Sequence, residues 1–233
     1  GCWSSSTVIV ENGRISALVP AGAELPHDAR AVDCGGKYVC PGLIDTHIHG
    51  AMGHNYMEAT PEAFSAISDY LVKGGVTSCL ATTTSAEIDE ELTALEAIGK
   101  AAASLFAATV IRKPDCVLGF ATGSTPVPTY QALSELYRDG AVDFSRVTTY
   151  NLDEYVGLGH EHEQSYYYFM TDNLFRHINV PKENIHVLSG TAKDPAAECA
   201  AYDASIDAAV GIDIQILGIG NNGHIAFNEP AST

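Results

Sequence analysis

Apolar and polar positions near the start of the chain follow a β pattern. Residues 7–10 and 15–19 are short apolar runs joined through Asn12 and Gly13, a dipeptide typical of tight hairpin turns. Residues 37–50 and 76–84 contain two further apolar runs, and the second of them predicts a buried strand. The pattern therefore predicts a small β segment followed by two strands of a larger fold.

A helix is predicted between those two later strands. Thr60 can serve as its N-cap, and Pro61 suits the first helical position. Ile67 and Leu71 belong to an apolar stripe with helical spacing, and the glycine pair at 74–75 predicts the end of the helix.

The longest helical pattern covers residues 85–113 and is interrupted only by Gly99. Most helices in globular proteins run about 8–20 residues, so we interpret this stretch as two helices that meet near Gly99. This interpretation sets a domain boundary between residues 95 and 100. It divides the chain into segments 1–97 and 98–233.

Strand and helix patterns alternate regularly beyond that boundary. The predicted strands are residues 116–121, 146–152, 184–190 and 212–220, and the predicted helices are residues 126–138, 165–177 and 195–210. This alternation is typical of α/β folds with a doubly wound parallel sheet. Ligands of such folds bind at the carboxyl ends of the strands, so we expect a site there.

Composition narrows the classes of function. The net charge of −17 is spread over both halves, so nucleic-acid binding, which needs a basic surface, is not expected. No apolar run reaches the ~18 residues of a membrane span. The six cysteines lack CxxC spacing, which favours free thiols in a reducing cytosol. We therefore expect a cytoplasmic protein that binds neither nucleic acid nor membranes.

The loop after the strand at 116–121 has the features of an anion site. Gly123 lets backbone amides approach a ligand, and Ser124 and Thr125 add hydroxyl donors before a predicted helix N-terminus. The same residues are compatible with a plain N-capped turn, because Thr125 followed by Pro126 is a good cap by itself. Both interpretations stay open at this point.

Acidic and imidazole side chains follow two other strands. Asp153 and Glu154 lie just past the strand at 146–152, where such a pair is most often solvated, although an Asp in a partly closed pocket can act as a general base. Asn222, His224 and Glu229 lie on a glycine-rich loop after the last strand. There His224 and Glu229 form a candidate acid–base pair, although a single His is more often structural.

The glycine-rich loop also matches GxGxxG through Gly218, Gly220 and Gly223. A dinucleotide-binding fingerprint needs a helix that starts there and an acidic residue about 20 positions further on. A strand-like run at 224–227 follows instead, so we reject nucleotide binding.

Four segments in order, LGFATGSTP, VTTYNLDEYVGL, QSYYYFM and GIGNNGHIAFNEP, resemble signature segments of glucosamine-6-phosphate deaminase. The resemblance covers residues 97–233 and implies conversion of glucosamine 6-phosphate and water into fructose 6-phosphate and ammonia, without metal or redox cofactor. Relatives continue beyond the position of Thr233 with an Arg and a Lys that contact the phosphate, so we expect an incomplete C-terminus. They include monomers and hexamers, which leaves homo-oligomer formation open.

The resemblance also implies roles for individual side chains. Asp153 would take the C2 proton of the opened sugar and return it at C1, while His224, supported by Glu229, would move the proton that opens the ring. Asn222 stands where some relatives have Asp, so it could only orient His224. Contacts to the phosphate or to neighbouring hydroxyls would come from Gly123, Ser124 and Thr125.

A second candidate site lies in the first half. His47 and His49 are two positions apart in a predicted strand, so both imidazoles face one side, as ligands of a divalent metal such as Zn²⁺ can. PGLIDTHIHG, with ENGRISAL before it and TPEAFSAISDYLVKGGVTSCLATTT after it, resembles the start of N-acetylglucosamine-6-phosphate deacetylase. The resemblance covers residues 7–97 and implies the first βα units of a (β/α) barrel with His47 and His49 as two metal ligands. The family's other ligands come from later strands, so we expect an incomplete or vestigial metal site.

The two resemblances name consecutive steps of amino-sugar catabolism. Our first interpretation is a deaminase with a doubly wound parallel sheet, preceded by a small β segment and a partial (β/α) barrel. Two alternatives stay open, namely metal-dependent deacetylation of N-acetylglucosamine 6-phosphate and an inactive fusion fragment that at most binds sugar phosphate.

Overall fold

The computed structural model describes residues 6–11, 14–218 and 222–229. Contacts between Cα atoms divide the chain into two compact units, residues 1–41 and 42–233. In the first unit, β1 (Ser6–Glu11) pairs antiparallel with β2 (Arg14–Pro20), at the two apolar runs. The turn predicted at Asn12 and Gly13 lies outside the described residues.

The second unit begins with two parallel strands joined through a helix. The elements in chain order are β3 (Leu43–Ile48), β4 (Gly50–Ala51), β5 (His54–Asn55), a 3₁₀ turn (Tyr56–Glu58), α1 (Pro61–Lys73) and β6 (Val76–Ala81). The Thr60 hydroxyl accepts the Ala63 N–H at 3.2 Å, which confirms the predicted cap. The prediction of a buried strand at 76–84 was wrong: β6 is largely exposed, because β3 is its single strand partner within the described residues.

One continuous helix, α2 (Ile88–Arg112), stands where two helices were predicted. That prediction was wrong because Gly99 does not end the helix. Gly99 is buried in it, and a Cβ added there would lie 2.6 Å from the Cβ of Pro128. The glycine therefore serves the close approach of a second helix, and the boundary predicted near residue 97 falls within α2.

The length of α2 follows from its contacts with two separate hydrophobic clusters. Ile98 packs against a small cluster that contains Ile67 and Leu71. Phe106 and Val110 belong to the larger cluster around the sheet described next. Within the described residues, α2 is long and apolar enough to cross a membrane, but buried core helices of soluble proteins pass the same test.

A parallel sheet follows α2. Its elements in chain order are β7 (Val117–Phe120), α3 (Val127–Arg138), β8 (Thr148–Asn151), α4 (Tyr166–Asn173), β9 (Ile185–His186), α5 (Pro195–Ala208) and β10 (Ile214–Gln215). The four strands pair in parallel in the order β10-β7-β8-β9, which confirms the α/β fold with a parallel sheet. β9 and β10 are shorter than predicted, and residues 224–227 form a turn with an Ile225–Asn228 bridge rather than a strand.

The strand order determines where a ligand can enter. From β7 the chain winds outward through β8 to β9 and then returns to the other side of β7 at β10. Such a reversal opens a crevice between the carboxyl ends of the two neighbouring strands, and ligands of doubly wound sheets bind there. The loops after β7 and β10 border this crevice, and the loop after β8 lies next to it.

Candidate active site

The loop after β7 carries exposed hydroxyl groups at the N-terminus of α3. Gly123 has φ +101, a conformation that favours glycine, and Ser124 and Thr125 are exposed. In the part of the chain that the structure describes, no side chain caps α3, whose N-cap position is Pro126. The interpretation of Thr125 as a plain cap therefore does not hold, and both hydroxyls face solvent beside a helix N-terminus.

Asp153 lies two residues past the end of β8 and is partly buried. Burial and the neighbouring Glu154 carboxylate raise its pKa from 3.8 to about 6, while the nearby backbone N–H of Phe227 opposes part of this shift. A carboxyl group with such a pKa is ionised at neutral pH and is a stronger base than an ordinary Asp, as general-base catalysis requires.

Glu154, the other carboxylate of the pair, has a structural position. It is 8% exposed and accepts hydrogen bonds from the backbone N–H groups of Tyr155 at 2.8 Å, Tyr166 at 2.9 Å and Tyr167 at 3.0 Å. Two of these N–H groups belong to the first turn of α4, which has no intrahelical acceptor for them. Glu154 therefore ties the loop after β8 to α4 and fixes the backbone next to Asp153.

Asn222, His224 and Glu229 form a hydrogen-bonded group. The Asn222 side-chain carbonyl lies 2.7 Å from Nδ1 of His224, and its amide donates to Glu229 at 2.5 Å. Because a carbonyl oxygen only accepts, His224 carries its proton on Nδ1, which leaves Nε2 as a base. The Glu229 carboxylate lies 3.7 Å from Nδ1 of His224. Asn222 therefore bridges the imidazole and the carboxylate, and its orienting role stays a prediction.

Aromatic side chains bring these loops together. The centroid of the Phe227 ring lies 5.0 Å from that of the Tyr155 ring and 5.6 Å from that of the Tyr166 ring. The Tyr166 hydroxyl donates to that of Tyr155 at 3.3 Å. The side chain of Thr122, at the start of the loop after β7, is close enough to the Tyr166 hydroxyl to oppose part of the rise in its pKa. The loops that contain Ser124, Asp153 and His224 are therefore joined through side-chain contacts at one edge of the sheet.

No local pattern in the sequence indicates a role for these joining residues. Thr122, Tyr155, Tyr166 and Phe227 all lie inside the segments that carried the resemblance. Their function depends on contacts between loops that are distant in sequence, and no local spacing indicates such contacts. The recurrence of aromatic residues in three of the segments was the available signal.

The predicted metal ligands lie on a different sheet. His47 and His49, at the carboxyl end of β3, have their Nε2 atoms 3.1 Å apart, and the Nδ1 atom of His49 is 3.1 Å from the carbonyl of Thr82. A tetrahedral zinc site takes four ligands. Among the described residues, no group of three or more His, Cys, Asp or Glu side chains is arranged to hold a metal ion. The residues present therefore do not complete a zinc site.

A family model described as glucosamine-6-phosphate isomerases/6-phosphogluconolactonase matches residues 89–227. The chain belongs to this family. The match starts inside α2, so the family's part of the chain includes the residues before Gly99 that the sequence analysis had assigned to another domain. The same stretch contains the parallel sheet and the candidate active-site residues, apart from Glu229.

Individual relatives agree with the family match. The glucosamine-6-phosphate deaminase of Lachnoclostridium phytofermentans (strain ATCC 700394 / DSM 18823 / ISDg) is 60% identical over 133 residues, which cover 57% of this chain and 56% of that protein. The deaminase of Clostridium tetani (strain Massachusetts / E88) is 62% identical over 120 residues, or 52% of this chain and 50% of that protein. The chain spans about half the length of the curated relatives it matches.

A solved structure of a monomeric glucosamine-6-phosphate deaminase is also similar. It is 43% identical, has a TM-score of 0.58, and the similarity covers 60% of this chain and 58% of that one. The α/β deaminase fold predicted for the second half of the chain is thereby confirmed.

Proposed function

We propose that this protein converts glucosamine 6-phosphate and water into fructose 6-phosphate and ammonia. Its family and the deaminases that it resembles support this proposal. The observation that carries it is the packing of the Phe227 ring against Tyr155 and Tyr166. These contacts bring the loop of His224 to the loop of the partly buried Asp153 at one edge of a parallel sheet.

In this proposal Asp153 is the base of the isomerisation. It removes the proton from C2 of the open-chain amino sugar, and the electron pair forms a C1–C2 double bond. The C1=O double bond opens at the same time, and its oxygen takes a proton from water to become a hydroxyl. Return of the proton at C1 leaves an iminium group at C2, which water hydrolyses to the ketone and ammonia. A carboxylate with a pKa of about 6 suits both directions of proton transfer near neutral pH.

His224 is the proposed group for ring opening. Its Nδ1 proton is held by Asn222 at 2.7 Å, so its Nε2 lone pair can take the proton of the C1 hydroxyl. As C1=O forms, the bond from C1 to the ring oxygen breaks, and the imidazolium returns the proton to that oxygen. The charge that then develops on the imidazole is stabilised by Glu229, 3.7 Å away. Asn222 has no proton to exchange and acts by orientation.

The loop after β7 is the proposed phosphate site. Backbone amides at Gly123, the hydroxyls of Ser124 and Thr125, and the positive end of the α3 dipole all favour an anion. No step of this mechanism requires a metal or redox cofactor, and a phosphorylated substrate accords with a cytoplasmic location.

For residues 7–97 we propose a deacetylase-like segment as a separate part of the chain. The parallel pairing of β3 with β6 through α1 is one βαβ unit, the building element of a (β/α) barrel. The facing imidazoles of His47 and His49 also support this proposal. A zinc ion held there would need further ligands.

An assay of the purified chain tests the proposed activity. Glucosamine 6-phosphate is supplied, and both ammonia and fructose 6-phosphate are measured in equal amounts if the proposal is right. In D₂O, the fructose 6-phosphate should carry deuterium at C1, because the proton returns there through an exchangeable carboxyl group. Failure to release ammonia from glucosamine 6-phosphate would contradict the proposal, and hydrolysis of 6-phosphogluconolactone by the same preparation would then favour the other activity named in the family description. Release of acetate from N-acetylglucosamine 6-phosphate would instead support the deacetylase-like segment.

A further inference from the structure

A buried tyrosine holds the backbone where the candidate phosphate loop begins. Tyr130, in the first turn of α3, is fully buried. Its hydroxyl accepts the N–H of Ala121 at 3.1 Å and donates to the carbonyl of the same residue. Ala121 is the first residue after β7 and precedes Thr122 and Gly123. One hydroxyl therefore satisfies both backbone groups of the residue at which the loop departs.

A second tyrosine does the same at the neighbouring strand. The Tyr202 hydroxyl, from α5, accepts the N–H of Asn151 at 3.0 Å and lies 2.9 Å from the carbonyls of Asn151 and of His186. Asn151 is the last residue of β8 and precedes Asp153 by two positions. β9 ends at His186, which pairs with Tyr150. The Tyr202 hydroxyl therefore bonds to the Asn151 backbone at the place that the next residue of β9 would occupy.

We propose that Tyr130 and Tyr202 are positioning residues, which fix the phosphate loop and the loop of the general base separately by holding the backbone at the ends of β7 and β8. Both hydroxyls bond to the backbone N–H and carbonyl of one strand-end residue, and each side chain comes from a helix packed on the sheet. Tyr130 lies 9 residues after its partner Ala121, and Tyr202 lies 51 residues after its partner Asn151. The two pairs therefore lie in separate stretches of the chain, and a different helix supplies each hydroxyl.

The two substitutions should affect different kinetic constants. Loss of the Tyr130 hydroxyl frees the loop that binds the phosphate, which contributes to substrate binding. Loss of the Tyr202 hydroxyl frees the loop that carries Asp153, whose position determines the rate of proton transfer. A misplacement of about 1 Å can cost on the order of a hundredfold in rate, so loss of one hydroxyl should be measurable.

The test compares Tyr130→Phe with Tyr202→Phe, and its kinetic part rests on the proposed deaminase activity. We expect Tyr130→Phe to raise KM about tenfold with little change in kcat, and Tyr202→Phe to lower kcat about tenfold or more with little change in KM. Amide hydrogen exchange should accelerate at residues 121–125 in the first variant and at residues 151–155 in the second.

Tyr150→Phe is the matched control, because the Tyr150 hydroxyl donates to the carbonyl of Ser205 at 3.1 Å and to no strand end. It should change neither kinetic constant. The proposal would be overturned if all three variants changed KM and kcat by the same factors. It would also be overturned if amide exchange accelerated equally at residues 121–125 and 151–155 in each variant. If the unsubstituted chain releases no ammonia, the proposed function fails, while the exchange pattern still decides whether the two tyrosines hold separate loops.

Discussion

Two parts of residues 42–233 pair parallel strands in the same way and differ in what surrounds them. All four residues of β7 are buried, and Leu118 at its centre is 0% exposed. In the β3–β6 pair, Leu43 and Ile44 are 61% and 68% exposed. Both parts carry side chains suited to catalysis at the carboxyl ends of strands, namely Asp153 in the first and the His47–His49 pair in the second.

The difference lies in how the loops are held. Around Asp153, tyrosine hydroxyls from α3 and α5 bond to the backbone at the strand ends. Glu154 accepts three backbone N–H groups, two of them from α4. At the end of β3, the His49 ring bonds to the carbonyl of Thr82, and the His49 carbonyl accepts the Tyr56 N–H at 3.0 Å. Suitable residue types at a strand end therefore do not suffice, because the scaffold that fixes them decides whether a site is formed.

The sharpest test of this comparison removes the base from the well-held site. Asp153→Asn keeps the size of the side chain but cannot accept the C2 proton, so deamination should fall about 10²–10⁴-fold. Ammonia release measures the effect, and Asp69→Asn, an exposed position on α1, is the matched control. Retention of more than a tenth of the activity would remove Asp153 from the proposed mechanism.

The difference in packing predicts that a Leu→Ala substitution lowers the free energy of unfolding by unequal amounts in the two parts. Leu118→Ala should lower the free energy of unfolding by about 2–5 kcal/mol, because it opens a cavity in the buried sheet. Leu43→Ala should cost about 0.5 kcal/mol or less, because that side chain is already exposed. Urea unfolding measures both, and similar losses would mean that the β3–β6 pair is covered in solution.

Gly99→Ala tests the contact that links α2 to the helix behind the phosphate loop. A methyl group there would lie 2.6 Å from the Cβ of Pro128, so α3 must shift, at a cost of about 1–3 kcal/mol. Gly74→Ala, whose nearest neighbour would be 3.4 Å away, should cost less. Thermal unfolding compares the two variants, and a neutral Gly99→Ala would speak against the close approach.

The pH dependence of the activity gives the smallest predicted effect. Because ionised Asp153 is the active form, activity should rise through about pH 6 and fall about tenfold for each pH unit below it. The pKa of Asp153 in the folded state, about 6, lies above the ordinary value of 3.8. Raising the pH from 3.8 to about 6 therefore lowers the free energy of unfolding. Asp153→Asn should remove that dependence of stability, and a profile with its acid limb near pH 4 would contradict the environment described for Asp153.

Local sequence was sufficient wherever a short segment determines its own structure. The cap at Thr60 and the strand that leads to Asp153 are examples, since each depends on neighbouring residues. The residues of the candidate site could also be named, because they lie in segments that resemble one family.

Features that depend on distant partners were not predictable in this way. The exposure of β6 reflects how many strands flank it, and Gly99 could be understood only once Pro128 was found beside it. Tyr202 holds a residue that lies 51 positions earlier in the chain. Such contacts are set by the tertiary fold, which leaves no fixed spacing in the sequence.

The span of α2 has a practical consequence for anyone who divides this protein for expression. A cut at residue 97 would divide α2, which packs against both hydrophobic clusters. The C-terminal fragment would then begin inside a helical turn. A fragment that starts at residue 42 keeps the whole helix, together with everything packed on either end of it.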